Sequence, residues 1–249
     1  MHTPTQTTLR GICPAIREGF FPGGLVRSVR QPESKRKRPK CMPPGLARWL
    51  GREIDRDLAA VVNDGRKPTR RETMMILRFL KRHGYRPLRC QVHVGDHARR
   101  LYTAVDMLCQ HRDKQRELLP FEVKVWSSDF EGGDDKCHML TPFQDILVEP
   151  LAFAQLQLAM TSQLAHDSLP LSAHSLTMGR GAVLLLHGKH ITLYQQADWA
   201  VAGLPAALAR LTPRPWFRRL QGRSRTGARH KDARRFASSS AGRKRRRLH

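Results

Sequence analysis

Two stretches decide the fold that this sequence predicts: "LYTAVDMLC" at 101–109 and "PFEVKVW" at 120–126. Both are short, mainly apolar runs of the kind that forms β-strands, and the polar residues 110–119 between them suit a hairpin loop. Side chains two positions apart on a strand share a face, so Glu122 and Lys124 should point together, away from their apolar neighbours. The hairpin is therefore expected to present charged groups side by side.

The rest of the central region has helical and strand-like patterns in a regular order. Apolar residues recur at helical spacing both before and after the hairpin, and alternating or continuous apolar runs mark further strands. The predicted elements are helices over 46–63 and 69–83, strands over 88–94, 101–109 and 120–126, a helix over 150–166, two strands within 181–196 and a helix over 206–211. This order predicts an α/β fold in which helices flank a mixed central β-sheet.

The two ends of the chain differ from this central region in composition. Residues 1–44 are rich in Pro, Gly and basic residues, and 213–249 hold fourteen Lys or Arg against a single acid. Such segments cannot bury enough apolar surface to fold alone. We expect a disordered basic arm over 1–44, one globular domain over 45–212 and a disordered basic tail over 213–249.

The charge of the chain indicates a polyanionic partner. Its 45 Lys and Arg exceed its 21 Asp and Glu, which gives a formal net charge of +24. An excess of this size is typical of nucleic-acid binding, with DNA as the first expectation and RNA as the alternative. No apolar stretch of about 18 residues is present, so no membrane partner is expected. The five cysteines are widely spaced without a C-x-x-C pair, which is atypical of a disulfide framework or a zinc ribbon.

Two basic clusters have two possible uses. Residues 35–40 and 214–247 can bind a nucleic-acid backbone without reading its sequence, or act as nuclear-localisation signals. The second use predicts the nucleus as the location, with a mitochondrion or a viral particle as alternatives. The sequence does not indicate an oligomeric state.

Asp106 is the residue that first suggests chemistry. It lies inside an apolar strand, where a carboxylate is costly without a cation, a proton or several hydrogen bonds. The Asp106 carboxylate could form a hydrogen bond with a neighbouring backbone group or pair with Lys124. If the strands pair around the loop, however, Asp106 comes near Glu122 and Lys124. Two adjacent carboxylates favour Mg²⁺ or Mn²⁺, which polarises a phosphate oxygen and lowers the pKa of a bound water, while a lysine orients that water.

This combination resembles the PD-(D/E)xK nuclease superfamily, in particular its RecB/lambda-exonuclease-like branch. The shared features are Asp106, the E-x-K of Glu122 to Lys124, the helices on both sides, and Gln157 within "QLQLAM" on the following helix. The resemblance covers residues 46–195 and implies a restriction-endonuclease-like core. It also implies that Asp106, Glu122 and the backbone carbonyl of Val123 hold the metal, that Lys124 orients the attacking water, and that Gln157 positions the lysine or the substrate.

The first helix departs from the pattern of that branch. "GREID" at 51–55 keeps the glycine, but Asp55 stands where the branch has a metal-binding histidine, and Glu53 lies two residues earlier. Aspartate is a suitable ligand for a hard cation. Asp55 is therefore expected as a further metal ligand, with Glu53 and a purely solvated Asp55 as alternatives.

The expected function is a divalent-metal-dependent deoxyribonuclease that hydrolyses phosphodiester bonds in DNA processing, repair or recombination, acting as an exonuclease or an endonuclease. The alternative is a non-catalytic basic nucleic-acid-binding or packaging protein on a degenerate nuclease fold. Both functions predict binding to DNA, and only the first predicts cleavage that depends on a metal.

Overall fold

The structure, a computed structural model, describes residues 10–21, 44–126 and 138–211. The helices in these ranges are α1 Ile12–Phe20, α2 Pro44–Asp64, α3 Arg71–Arg82, α4 Pro150–Ser168, α5 Asp198–Ala202 and α6 Leu204–Leu211. The strands are β1 Arg10–Gly11, β2 Tyr85–Asp96, β3 Leu101–His111, β4 Lys114–Val125, β5 Thr177–Met178, β6 Ala182–His187 and β7 His190–Gln195.

Strands β2, β3, β4, β6 and β7 lie side by side in that order. Neighbours are antiparallel except β4 and β6, which are parallel. Strand β1 runs parallel to the start of β3 as a sixth strand of this mixed sheet, and the two residues of β5 pair with β4. The predicted α/β class, with helices flanking a mixed sheet, is confirmed, and so is the antiparallel hairpin of β3 and β4.

Two apolar clusters pack the helices against the sheet. One joins α2 and α3 to the sheet and includes Ile54 and Met107, while the other joins α1 and α4 to it and includes Leu156 and Leu108. Met107 and Leu108 are adjacent on β3 and belong to different clusters, as alternation along a strand requires. The sheet is therefore the middle layer of the domain.

The hairpin between β3 and β4 is longer than the sequence predicts. Strand β4 begins at Lys114 rather than at 120, which shortens the expected loop over 110–119 to a turn at Arg112 and Asp113. The side chains of residues 114–116 are exposed. Hydrophobic patterning does not mark residues 114–116 as a strand, because their side chains contribute nothing to the core. The buried Leu118 and Leu119 do belong to the core, and including them in the loop was wrong.

Helix α4 is a core helix, buried on nearly every side. It begins at Pro150 as predicted, and no charged residue occurs from Pro150 to Ala165. Its buried amides must find partners inside the protein. Gln155 does so on the backbone, donating to the Gln195 carbonyl at 3.0 Å and accepting from the Ala197 N–H at 2.9 Å.

The expectation of a disordered arm over 1–44 is wrong for residues 10–21. These residues form β1 and α1, and the side chains of Ile12, Ile16 and Phe20, at helical spacing, are completely or almost completely buried. Pro14 lies in the first turn of α1, where a missing N–H costs no helical hydrogen bond. The remainder of the arm, the tail and both basic clusters lie outside the described residues.

Candidate active site

Glu122, Lys124 and Gln157 form a closed hydrogen-bonded triad. Lys124 Nζ forms an ion pair with Glu122 Oε1 and donates to Gln157 Oε1 at 3.1 Å. Gln157 Nε2 donates to the same Glu122 oxygen at 2.6 Å. The Glu122 side chain is 1% exposed and that of Lys124 is 24% exposed, so Glu122 is the more deeply buried of the two. Strand β4 and helix α4 thus bring together three residues that the sequence predicts to act together.

Asp106 is joined to this triad through the backbone of β4. Its Oδ2 accepts a hydrogen bond from the Val123 N–H at 2.9 Å. The backbone pairing of β3 with β4 includes Met107 opposite Phe121. Beyond this pair, the Val123 N–H donates to the Asp106 side chain and not to a backbone carbonyl of β3. The Val123 amide is therefore a structural anchor for this carboxylate, whereas its carbonyl as a metal ligand stays a prediction.

Asp55, on α2, lies close enough to Asp106 and Lys124 for their charges to affect it. Burial and the charge of Asp106 raise the pKa of Asp55 to about 7, against the opposing effect of the Lys124 ammonium. Glu53 has different partners, since it forms ion pairs with Arg70 at 2.8 Å and with Arg56. The hydrogen bond from Arg70 is the main cause that lowers the pKa of Glu53. Of the two acids that the sequence leaves as alternatives, Asp55 is the one near Asp106.

The buried charges of the site are unbalanced towards the negative. Burial and the Asp106 charge raise the pKa of Glu122 to about 8, with Lys124 opposing. Burial would lower the pKa of Lys124, but the Glu122 and Asp106 carboxylates outweigh it and the pKa is raised. Lys124 is therefore an ammonium at neutral pH. One cation faces three carboxyl groups, which favours uptake of a further positive charge.

The residues present fit a hard divalent cation. Glu122 Oε2 is buried and has no hydrogen-bond partner among the described residues, and the Glu122 carboxyl is close enough to Asp106 for the two to interact. Two carboxyl groups this close together are stabilised by sharing a proton or by binding a cation. No group of three or more His, Cys, Asp or Glu in the described ranges is placed so that it could hold a metal ion. Mg²⁺ does not require such a group, because it binds through one or two carboxylates together with water and substrate oxygens.

Gln91 is a site residue that the sequence analysis missed. It lies on β2 between the pairs Cys90–Met107 and Val92–Val105, and is therefore opposite Asp106. Its backbone has φ of 54°, and its Nε2 lies 3.5 Å from Asp106 Oδ1.

The end of α2 holds the strand on which Gln91 lies. Asn63 accepts from the Cys90 N–H at 2.9 Å and donates to the Cys90 carbonyl at 3.0 Å. These two hydrogen bonds, which act as a clamp, satisfy the backbone N–H and carbonyl of Cys90, the residue before Gln91. No local sequence signal marks the arrangement, because Asn63 and Cys90 are 27 positions apart.

Helix α1 adds a second missed residue, Cys13, to the surroundings of the site. Burial raises the pKa of the Cys13 thiol, and the charges of Lys124, Glu122 and Asp106 all act on it. The segment that composition marks as an arm therefore reaches the site. Prediction from composition alone excluded every residue of this segment.

No protein-family model matches this chain, and no curated protein matches it. None of the described helices combines the length and the apolar character needed to cross a membrane.

Proposed function

We propose that this protein is a divalent-metal-dependent nuclease that hydrolyses DNA phosphodiester bonds, with the restriction-endonuclease-like core of the PD-(D/E)xK superfamily. The observation that carries the proposal is the convergence of Asp106, Glu122, Lys124 and Gln157 from β3, β4 and α4. A structural ion pair needs neither a second carboxylate close by nor a buried carboxylate oxygen without a partner. Both features are expected of a site that takes up a cation.

Each residue has a defined part in this proposal. Asp106, Glu122 and the Val123 carbonyl would hold Mg²⁺ or Mn²⁺, which when bound polarises the scissile phosphate and acidifies a water. Asp55 would contribute from α2. Lys124 would orient the attacking water and offset charge that develops on the phosphate. Gln157 holds the Lys124 and Glu122 side chains in one geometry.

Cleavage of DNA with added Mg²⁺ or Mn²⁺ tests this function. Lys124→Ala and Asp106→Asn should each lower the cleavage rate by about 10²-fold to 10³-fold, because the first removes the cation that offsets charge on the phosphate and the second removes a proposed metal ligand. Lys189→Ala, which removes an exposed lysine from the turn between β6 and β7, is the matched control and should cleave normally. DNA binding should persist in all three variants. Cleavage that neither site substitution alters would remove both residues from the mechanism.

A non-catalytic nucleic-acid-binding or packaging protein is the second candidate. The ion pair between Lys124 and Glu122 and the lack, among the described residues, of three ligands placed to hold a metal ion favour it. In this case DNA binds and no form of the protein cleaves it with either metal. An active exonuclease and an active endonuclease are distinguished by linear and circular DNA, and an RNA substrate tests the alternative polymer.

The basic segments 35–40 and 214–247 also have a place in the proposed function. We propose that they bind the nucleic-acid backbone or direct the chain to the nucleus. Fluorescent fusions in which the lysines and arginines of either segment are replaced by Ser or Gln distinguish the two roles. Loss of nuclear fluorescence with unchanged DNA affinity would indicate targeting. Loss of DNA affinity with unchanged nuclear fluorescence would indicate backbone binding.

A further inference from the structure

A cleft of about 800 Å³ lies at the opposite end of the hairpin from the carboxylates. The end of α3, the start of β2 and the turn between β3 and β4 form its walls. Gln110 on its rim is four residues along β3 from Asp106, which corresponds to about 13 Å of strand. The cleft is therefore separate from the site described above.

The charge of the cleft is positive and only partly neutralised. Lys81, Arg86 and Arg112 line it, and no acidic residue does. The Arg86 guanidinium donates to the neutral Gln110 amide oxygen at 2.7 Å, and Gln110 in turn donates to the Gln115 carbonyl at 2.6 Å. These bonds orient Arg86 without cancelling its charge.

The ion pair of Arg112 does little to reduce the positive charge of the cleft. Its partner Asp113 lies 3.7 Å away, and both side chains are at least 70% exposed. A pair with this exposure contributes little and is screened by salt. The Lys81 side chain, like those of Arg86 and Arg112, is exposed. All three cations are thus accessible to a ligand.

An aromatic ring lies among these cations. Tyr85 makes edge contacts with His111, at 5.0 Å between ring centroids, and with Phe121, at 5.1 Å. Leu77 and Pro87 add apolar surface to the same lining. Cations beside an aromatic ring are the combination with which proteins bind single-stranded nucleic acid, since phosphates contact the cations and a base contacts the ring.

We propose that this cleft binds a segment of single-stranded nucleic acid, with Lys81, Arg86 and Arg112 on its phosphates and a base against Tyr85. The proposal goes beyond the nuclease function, because binding here requires neither a metal nor Lys124. An acidic peptide would use the cations but not the ring, and a free mononucleotide has fewer charges than the lining offers.

Binding of a labelled oligo(dT) of about 12 nucleotides to the full chain in EDTA tests the proposal. The cleft variant Lys81→Ala/Arg86→Ala/Arg112→Ala is compared with the charge-matched control Arg78→Ala/Arg82→Ala/Arg116→Ala, whose residues are also exposed and lie outside the cleft lining. We expect the cleft variant to bind about tenfold more weakly at about 150 mM salt. Its salt slope should fall by about 2, or about 0.7 for each lost phosphate contact.

The same measurement can overturn the proposal. Equal loss of affinity in the two triple variants would show that only total charge matters and that the cleft is not a site. Thermal unfolding of both variants establishes that they are folded before their affinities are compared.

Photocrosslinking locates the bound strand directly. An oligo(dT) that carries 4-thiothymidine should crosslink to the peptide that contains Tyr85, and Tyr85→Leu should lose this product. Crosslinks confined to other peptides would contradict the proposal. Displacement of the oligonucleotide from the cleft by thymidine monophosphate at equal concentration would assign a mononucleotide instead, and displacement by oligoglutamate would assign an acidic peptide. Either result would reject a nucleic-acid strand.

Discussion

The side-chain amide of Gln91 lies 3.5 Å from the carboxylate of Asp106 and comes from a backbone with positive φ. A residue with a side chain in this left-handed region costs about 1 kcal/mol or more, and such strain gathers at functional sites. Here it persists because the Asn63 side chain holds both backbone groups of the neighbouring Cys90. We infer that Gln91 is a positioning residue, which orients Asp106 without touching the substrate.

Two replacements of Gln91 should differ in stability and lose the same amount of cleavage activity. Gln91→Gly relieves the backbone strain, whereas Gln91→Ala keeps it, so the glycine variant should be more stable than the alanine variant by about 1 kcal/mol. Both variants lose the amide next to Asp106 and should cleave DNA about tenfold more slowly. Urea unfolding and single-turnover cleavage measure the two effects.

Ser175→Gly is the control for Gln91, because Ser175 also has positive φ and lies on the surface. It should gain stability with no change in cleavage. Full cleavage by Gln91→Gly would assign the role to the backbone of Gln91 and not to its amide.

The Gln157 side chain should affect the cleavage rate, whereas that of Gln155, two residues earlier on α4, should not. Gln157→Leu leaves Lys124 without its hydrogen bond to that amide and deprives buried Glu122 of a donor, which should cost about 1 to 3 kcal/mol of stability. The cleavage rate of the folded protein should fall about 10-fold to 100-fold, since the lysine loses its orientation.

The matched control is Gln155→Leu, the same change at an equally buried position whose partners are backbone groups of Gln195 and Ala197. It should lose comparable stability and keep its cleavage rate once the folded fraction is taken into account. Equal kinetic loss in both variants would reduce Gln157 to a structural amide.

The predicted side chains meet where the sequence pattern is strongest. Glu122 and Lys124 lie in the second half of β4, where their neighbours Phe121, Val123 and Val125 are apolar, so the alternation determines the face that both share. Gln157 is one of two buried amides in an otherwise apolar turn of α4, where a polar residue must find a partner. Strand alternation predicted that Glu122 and Lys124 share a face, whereas Gln157 was predicted from the resemblance to the nuclease branch and not from local pattern.

The missed parts of the site depend on contacts that no local pattern records. Gln91 adopts its conformation beside a clamp from Asn63 in a different element. Helix α1 is a single short amphipathic segment between glycine and proline residues, and it is held by burial of Ile16 and Phe20 against the domain. Composition indicated disorder because it averages over these few apolar residues.

Burial of α1 can be tested through the stability of the whole domain. Ile16 is completely buried, so Ile16→Ala should lower the free energy of unfolding by about 2 to 5 kcal/mol. Arg52→Ala on the exposed side of α2 should change it by about 0.5 kcal/mol or less. Denaturant unfolding of the full chain measures both values. A disordered 1–44 arm would instead leave the stability of Ile16→Ala unchanged.

Stability should depend on pH and metal together. Burial and the Asp106 charge raise the pKa of Glu122 to about 8 and that of Asp55 to about 7. Carboxyl groups with a raised pKa in the folded state favour folding while they are protonated, and this contribution is lost as pH rises through the folded-state pKa. A cation binds the deprotonated forms and offsets the loss. The increase in Tm on adding Mn²⁺ should therefore grow from about pH 6 to about pH 9.

Two variants on α2 test which acid of this helix contributes to the proposed metal site. Asp55→Asn removes the group that titrates near pH 7, so the Mn²⁺-dependent increase in Tm should become smaller and should begin only at the higher pH where Glu122 ionises. Glu53→Gln loses its ion pair with Arg70, outside the site, and should keep the full metal effect. Isothermal titration with Mn²⁺ provides the affinities independently of unfolding. Loss of metal binding in Glu53→Gln but not in Asp55→Asn would reverse the assignment, because the acid that contributes to the cation site must be the one whose removal weakens binding.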